Sequence, residues 1–300
     1  MGYLGCEGAI AMSDFSIENL LPEISQCGFI IDGPIANITL QREKVFNALN
    51  PELIGELCSL LDWCKERSVG VRGQLVDGEG NPFLRVIVLR GAGKHFCAGA
   101  DIGWMQASGA QTAEENRADA ERLDRLFHTL WSHPCFTIGV VQGVALGGGA
   151  GLVSSLDHVI GESNTKIALS EGKLGILPAV IGPYVYQRIG SAQTRRLAIL
   201  ASKIPVDEAL RIGMIDQEVE SPDQFEEAIR AMVDEVLTTG PMAVNEAKSL
   251  VQTIDRWEAS DEELRSWTLD KTSEMRGSAE GQEGLSSFIE RRKAAWKSGD

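Results

Sequence analysis

Two short stretches of this 300-residue chain place small residues directly after an apolar run. In the second of them Thr137 to Val141 reads as an apolar strand, followed by Gly143. Gly147-Gly148-Gly149 then leads into a helix near Ala150. Consecutive glycines permit positive φ and let a ligand approach the main chain closely. The first N–H groups of a helix lack intrahelical partners and carry the positive end of its dipole. Such a bend suits a phosphate or a developing oxyanion. Tight packing of strand against helix is the competing explanation. In the first stretch His95-Phe96-Cys97-Ala98-Gly99-Ala100-Asp101 follows the strand Val86-Ile87-Val88-Leu89. Two bends that each offer one N–H to the same oxygen would form an oxyanion hole. The glycines match neither the phosphate loop GxxxxGK[ST] nor a properly spaced GxGxxG. The six cysteines contain no CxxC pair and, with only four histidines, give no zinc-ligand spacing, so no metal site is expected. They read as reduced, buried thiols of a cytoplasmic protein.

These bends need elements to hold them. Residues 1–26 read as a loose leader with a short helix near Ile17 to Ile24. Phe29 to Ile31 and Ala36 to Leu40 form two strands around the turn Asp32-Gly33-Pro34. Asn50 and Pro51 open a helix whose apolar face is Leu53, Ile54, Leu57, Leu60, Leu61 and Cys64. Ser68 to Asn81 is a polar, Gly-rich surface loop. Val86 to Leu89 is apolar throughout, as in a strand buried on both faces. Thr112 and Glu115 form a capping box before a helix carrying Leu123, Leu126, Phe127, Leu130 and Trp131. Pro134 to Leu156 holds no charged residue, but its six glycines suit a strand, turn and buried helix better than a membrane span. Beyond Pro222 charges and helical periodicity dominate, so the chain divides into a leader, a core over 27–220 and a helical region over 221–300.

The ordered motifs resemble those of the crotonase, or enoyl-CoA hydratase/isomerase, superfamily. Phe46-Asn47-Ala48-Leu49-Asn50 resembles its opening motif, and Val86 to Gly91 with Phe96 to Ile102 its first signature. Gly143 to Gly149 with Leu156-Asp157 resembles the second, and Ala168-Leu169-Ser170-Glu171 through Leu174-Gly175-Ile176 to Pro178 the third. Glu283-Gly284, Phe288 and Arg291-Arg292-Lys293 resemble the closing motif. The resemblance spans about residues 28–297 and implies an α/β fold. Its core would be a spiral of ββα units, followed by a C-terminal helical region that assembles trimers or dimers of trimers.

The resemblance also implies chemistry. An acyl-CoA thioester would place its carbonyl between the N–H groups of Ala100 and Gly148, and the reaction would pass through an enolate. Hydratases of the family usually carry two glutamates. One maps onto Glu171, within an otherwise apolar run; the other maps onto Gly151, which has no side chain. Glu171 would then be the only acid/base, as in single-glutamate relatives. Ala98, Asp101, Ile102, Trp104, Gly147, Gly151, Pro178 and Tyr184 would surround the substrate. For Asp101 a capping role and for Tyr184 a core role compete with this. Asp157 and His95 read as structural. Arg42, Lys44, Lys94, Arg292 and Lys293 are candidates for the CoA phosphates, with plain solvated charge as the alternative for each.

Within the superfamily Ala98 to Met105, the Gly149-Ala150-Gly151-Leu152 step and Leu169-Ser170-Glu171 with Pro178 to Tyr184 together look most like the methylglutaconyl-CoA and isohexenylglutaconyl-CoA hydratases of leucine and acyclic terpene breakdown. A neighbouring branch, in polyketide β-branching, dehydrates a thioester on an acyl carrier protein. A Δ3,Δ2-enoyl-CoA isomerase could use the same single glutamate, and a non-catalytic relative could keep only the fold. No cofactor beyond substrate CoA is implied. Composition narrows the partners further. With 28 Lys+Arg against 43 Asp+Glu the formal charge is −15, unsuited to gripping nucleic acid or an anionic membrane.

Overall fold

The computed structural model describes residues 21–297. The strands of the described residues are β1 (Cys27–Asp32), β2 (Ile35–Leu40), β3 (Val86–Gly91), β4 (Phe136–Val141), β5 (Val144–Leu146), β6 (His158–Glu162), β7 (Lys166–Ala168), β8 (Ile204–Pro205) and β9 (Gln217–Val219). The helices of the core are α1 (Pro51–Glu66), α2 (Val69–Arg72), α3 (Ile102–Gly109), α4 (Ala113–Trp131), α5 (Gly148–Ser154), α6 (Gly182–Leu200) and α7 (Val206–Arg211). Those beyond it are α8 (Phe225–Thr238), α9 (Pro241–Asp255), α10 (Asp261–Gly277) and α11 (Ala279–Ile289). Six strands pair in the order β1-β2-β3-β4-β6-β9, antiparallel only between β1 and β2. A smaller sheet, β5-β7-β8, stands apart and carries the second glycine bend. The two sheets with their interleaved helices are the mixed α/β spiral expected.

Strand alternation explains why the larger sheet is covered twice. Side chains two apart share a face. Ile87 and Leu89 of β3 join the main core with α1 and α4, whereas Val86 and Val88 join a second core with Ile138, Val140, Ile160 and helix α8. The run Val86–Leu89 is therefore apolar throughout because both faces are dry. Helix α8 seats Phe225, Ala228, Ile229, Val233 and Val236 in that second core, so the helical stretch after 220 begins packed on the sheet. In α1 the Asn50 side chain accepts from the Leu53 N–H, and Leu53, Ile54, Leu57, Leu60, Leu61 and Cys64 are buried. Burying one such leucine stabilises by roughly 1.5–3 kcal/mol. Helix α4 starts with the Thr112/Glu115 capping box, both bonds formed.

Two local expectations are corrected, and the reading of the charge-free stretch is kept. Ile17 to Leu20 of the leader lie outside the described residues, and 21–24 are not helical. The Glu56 carboxylate on α1 takes the N–H groups of Ser25, Gln26 and Cys27, drawing the chain out as an extended entry to β1. Within the loop Ser68–Asn81, Ser68 caps the single helical turn α2, which buries Val69. The charge-free stretch from Pro134 resolves into β4, β5 and α5, and among the described residues no helix is long and apolar enough to cross a membrane. Asp157, read as structural, accepts from the Thr137 N–H and hydroxyl and pairs with Lys248.

Candidate active site

The two glycine bends meet. Cys97 of the first donates to Val144 O of β5, and Leu146 returns a bond to Cys97 O. On its other side the first bend is laced to the opening motif: Leu49 N–H reaches Gly99 O, Asp101 N–H reaches Leu49 O, and Ala98 N–H reaches Phe46 O. Asn47 locks this lacing. It is fully buried with φ 56°, and its amide donates to Ala92 O and His95 O while accepting from Arg42 N–H. Those contacts are what a tertiary anchor makes, and the sequence reading gave Asn47 no such role.

Between the lacing bonds two N–H groups are left over. Neither Ala100 nor Gly148 donates a backbone bond among the described residues. A β-carbon built on Gly148 would stand 3.6 Å from the Ala100 nitrogen, so the two donors are neighbours. Gly148 is the first residue of α5, where an N–H has no intrahelical acceptor. With only seven residues α5 adds little dipole, so the donor's value lies in its being unpaired. Gly147 makes the turn at φ 48°, its own N–H held by Ala168 O.

Glu171 closes the other side. It begins, with Ser170, a turn of 3-10 helix over Ser170–Leu174 directly after β7. A β-carbon on Gly147 would lie 3.0 Å from Glu171 Oε1, so the carboxyl abuts the residue before the Gly148 donor. Glu171 is half-buried, and its buried Oε2 has no hydrogen-bond partner among the described residues. Desolvation pushes its carboxyl above the usual range, opposed only by its own backbone N–H. The apolar surroundings expected from Leu174 to Val180 do not supply that burial. Leu174, Ile176 and Leu177 are exposed, and the segment returns to the core only at Val180 and Ile181.

At the place of the missing second glutamate the packing is dry. A β-carbon on Gly151 would collide with Ile181 Cγ2 and stand 2.9 Å from Phe127 Cε1. Gly151→Glu is therefore expected to lower stability, by about 1–3 kcal/mol or more for the overpacking alone. It should restore no second acid; a denaturant midpoint measured beside turnover checks this.

The remaining candidates disperse. Asp101 caps α3, accepting from Gly103 and Trp104 N–H, and pairs with Arg42 at 3.3 Å. Arg42 also donates to Ala48 O, so it braces the bend. Trp104 donates its indole N–H to buried Asp119 at 3.1 Å, and Ile102 beside it is exposed. Tyr184 is buried against Phe127 and Trp131, ring centroids 6.0 Å in each case, one ring behind Gly151. Burial and the nearby Asp124 push its phenol up to about 12. It lines a cavity of about 630 Å³ beneath α8 and α9, away from Glu171. Pro178 is half-buried on the way to α6. Lys44 and Lys94 are exposed, whereas Arg292 is held by Glu283 and Glu290; Lys293 is exposed beside it. Burial, and after it the charges of Lys94 and Lys203, hold the His95 imidazole below its usual range.

Two unpaired main-chain donors beside a half-buried carboxyl, on a spiral α/β scaffold, make the site of an enzyme that can stabilise a developing oxyanion and move a proton next to it. The chain belongs to the enoyl-CoA hydratase/isomerase family, whose sequence profile matches residues 31–299. The crotonyl-CoA hydratase of Syntrophomonas wolfei is 29% identical over 270 residues, covering 87% of this chain and 93% of that protein. The mevalonyl-coenzyme A hydratase SIDH of Beauveria bassiana is 29% identical, with 87% and 90% covered. The crystal structure of an enoyl-CoA hydratase from Shewanella pealeana superposes with a TM-score of 0.82 at 30% identity, covering 91% of this chain and 97% of that one.

Proposed function

We propose that this enzyme adds or removes water at the 2,3-double bond of a branched enoyl-CoA thioester such as 3-methylglutaconyl-CoA, with Glu171 as its only acid/base. One observation carries this reading. A lone carboxyl with an orphaned oxygen abuts Gly147, beside the donor pair, while Ile181 and Phe127 fill the second glutamate's place. The N–H groups of Ala100 and Gly148 hold the thioester oxygen. Water attacks the β-carbon and gives its proton to Glu171, and the π electrons move through the α-carbon onto the thioester oxygen. The enolate then takes the proton back from Glu171 at the α-carbon, so one carboxyl serves both half-steps. The likeness to a hydratase acting on mevalonyl-CoA, itself a 3-methyl-branched thioester, supports a branched substrate. Lys44 and Lys94, exposed and in no ion pair among the described residues, suit the CoA phosphates. The exposed Leu250, Val251 and Ile254 of α9 and Leu285, Phe288 and Ile289 of α11 support assembly into a trimer.

The single carboxyl also suits a Δ3,Δ2-isomerase, which needs one proton shuttle and no water. The test follows conjugated enoyl absorbance, lost on hydration of 3-methylglutaconyl-CoA or crotonyl-CoA and gained on bond migration in a 3-enoyl-CoA. Fastest hydration is expected with the branched substrate. Bond migration in the 3-enoyl thioester without hydration of the other two would replace the hydratase reading with the isomerase one.

A further inference from the structure

We propose that Ser170 is a second catalytic residue, its hydroxyl holding the water that Glu171 activates; this rests on the hydration reading above. The point where a β-carbon on Gly147 would stand lies 3.0 Å from Glu171 Oε1 and 3.4 Å from Ser170 Oγ. Both oxygens thus crowd one face of the residue that precedes the Gly148 donor. Neighbouring side chains on a 3-10 turn diverge by about 120°. Two oxygens from consecutive residues therefore approach that point from different directions, as the partners of one bridging water must. The Ser170 hydroxyl forms no hydrogen bond with the described residues, and the residue is half-buried. Its neighbour Glu171 leaves Oε2 without a partner as well.

The need for such a group is visible in the same site. A well-held water takes 2–4 polar partners. Glu171 supplies one, and the place of a second carboxylate is occupied by Ile181 and Phe127. A serine hydroxyl donates one hydrogen bond and accepts others, so it can orient the water oxygen toward the β-carbon without changing its own protonation. The attacking lone pair forms the C–O bond, the departing proton goes to Glu171, and Ser170 keeps its proton throughout.

The test uses the full chain with 3-methylglutaconyl-CoA in deuterated buffer and reads two rates, net hydration and deuterium entry at the γ-carbon of the unhydrated substrate, an exchange that needs proton removal by Glu171 and the donor pair but no water addition. Ser170→Ala should lower the hydration kcat roughly 10- to 100-fold, the scale of one lost hydrogen bond in a site. KM should stay near its wild-type value. Deuterium entry should persist, because Glu171 and the donor pair remain. Ser170→Thr, which keeps the hydroxyl, should recover most of the hydration rate. Hydration by Ser170→Ala within twofold of wild type overturns the assignment, and so does a parallel fall of both rates, which would mark a general disturbance. Deuterium entry without hydration in the wild type would overturn the hydratase reading itself and the serine's role with it.

Discussion

Replacing Glu171 by glutamine lowers turnover by about 10²–10⁴, the range typical of a positioned acid/base, while the melting temperature at neutral pH rises. Both effects come from one environment. The carboxyl is half-buried with an orphaned oxygen, and desolvation raises its pKa in the folded state. The folded protein therefore binds this proton more tightly than the unfolded chain does. The resulting stabilisation is fully present below the unfolded pKa and is lost as pH rises through the folded one. At neutral pH the ionised group is a liability to folding, and glutamine, isosteric and uncharged, removes it. The gap between the two melting temperatures should widen from pH 4 to pH 8. The acid limb of wild-type kcat should fall above the usual carboxylate range, since the base must be ionised. Full turnover by Glu171→Gln would remove this residue from the reaction; equal melting temperatures at every pH would mean its burial carries no strain.

Gly148→Val is expected to cost about 10²–10³ in kcat, the scale for losing one oxyanion donor. A β-carbon there lies 3.0 Å from Leu49 Cδ1 and 3.6 Å from the Ala100 nitrogen. The branches of valine would occupy the space where a thioester oxygen must sit between two donors. The packing cost against Leu49 is of order 1–3 kcal/mol, so a melt accompanies the kinetics. Leu49→Ala combined with Gly148→Val separates the two causes. Leu49 is fully buried, so Leu49→Ala alone costs about 2–5 kcal/mol; in that background the crowding is gone, so Gly148→Val should cost little further stability but still the full loss in kcat. Little loss of kcat in that background would assign the effect to packing.

The parts of the site that were legible in the sequence are those written in consecutive residues. Gly147-Gly148-Gly149 and Cys97 to Asp101 announce close main-chain approach because small residues, glycine above all, leave room for it. The apolar run Val86–Leu89 announces a doubly covered strand. What stayed hidden depends on contacts between distant positions. Arg42 meets Asp101 across 59 residues and so is taken up by the bend. Asn47 ties residues 42, 92 and 95, a role that no local pattern shows. Apolar type alone does not say which surface covers a residue, and Leu174, Ile176 and Leu177 accordingly lie exposed. Ser170 did carry a signal, its adjacency to Glu171, but only the shared approach to Gly147 gives that adjacency a meaning.

The donor pair consists of main-chain atoms, and this shapes how such a site can diverge. Any residue other than proline, and without a bulky branch, still supplies an N–H at position 100, so few inherited changes erase that donor. The packing behind it is different: Ile181 and Phe127, against Gly151, are ordinary side chains, open to drift one at a time. Descendants of this chain could exchange one acyl group for another, or surrender water addition, and still keep the chemistry common to all of those reactions.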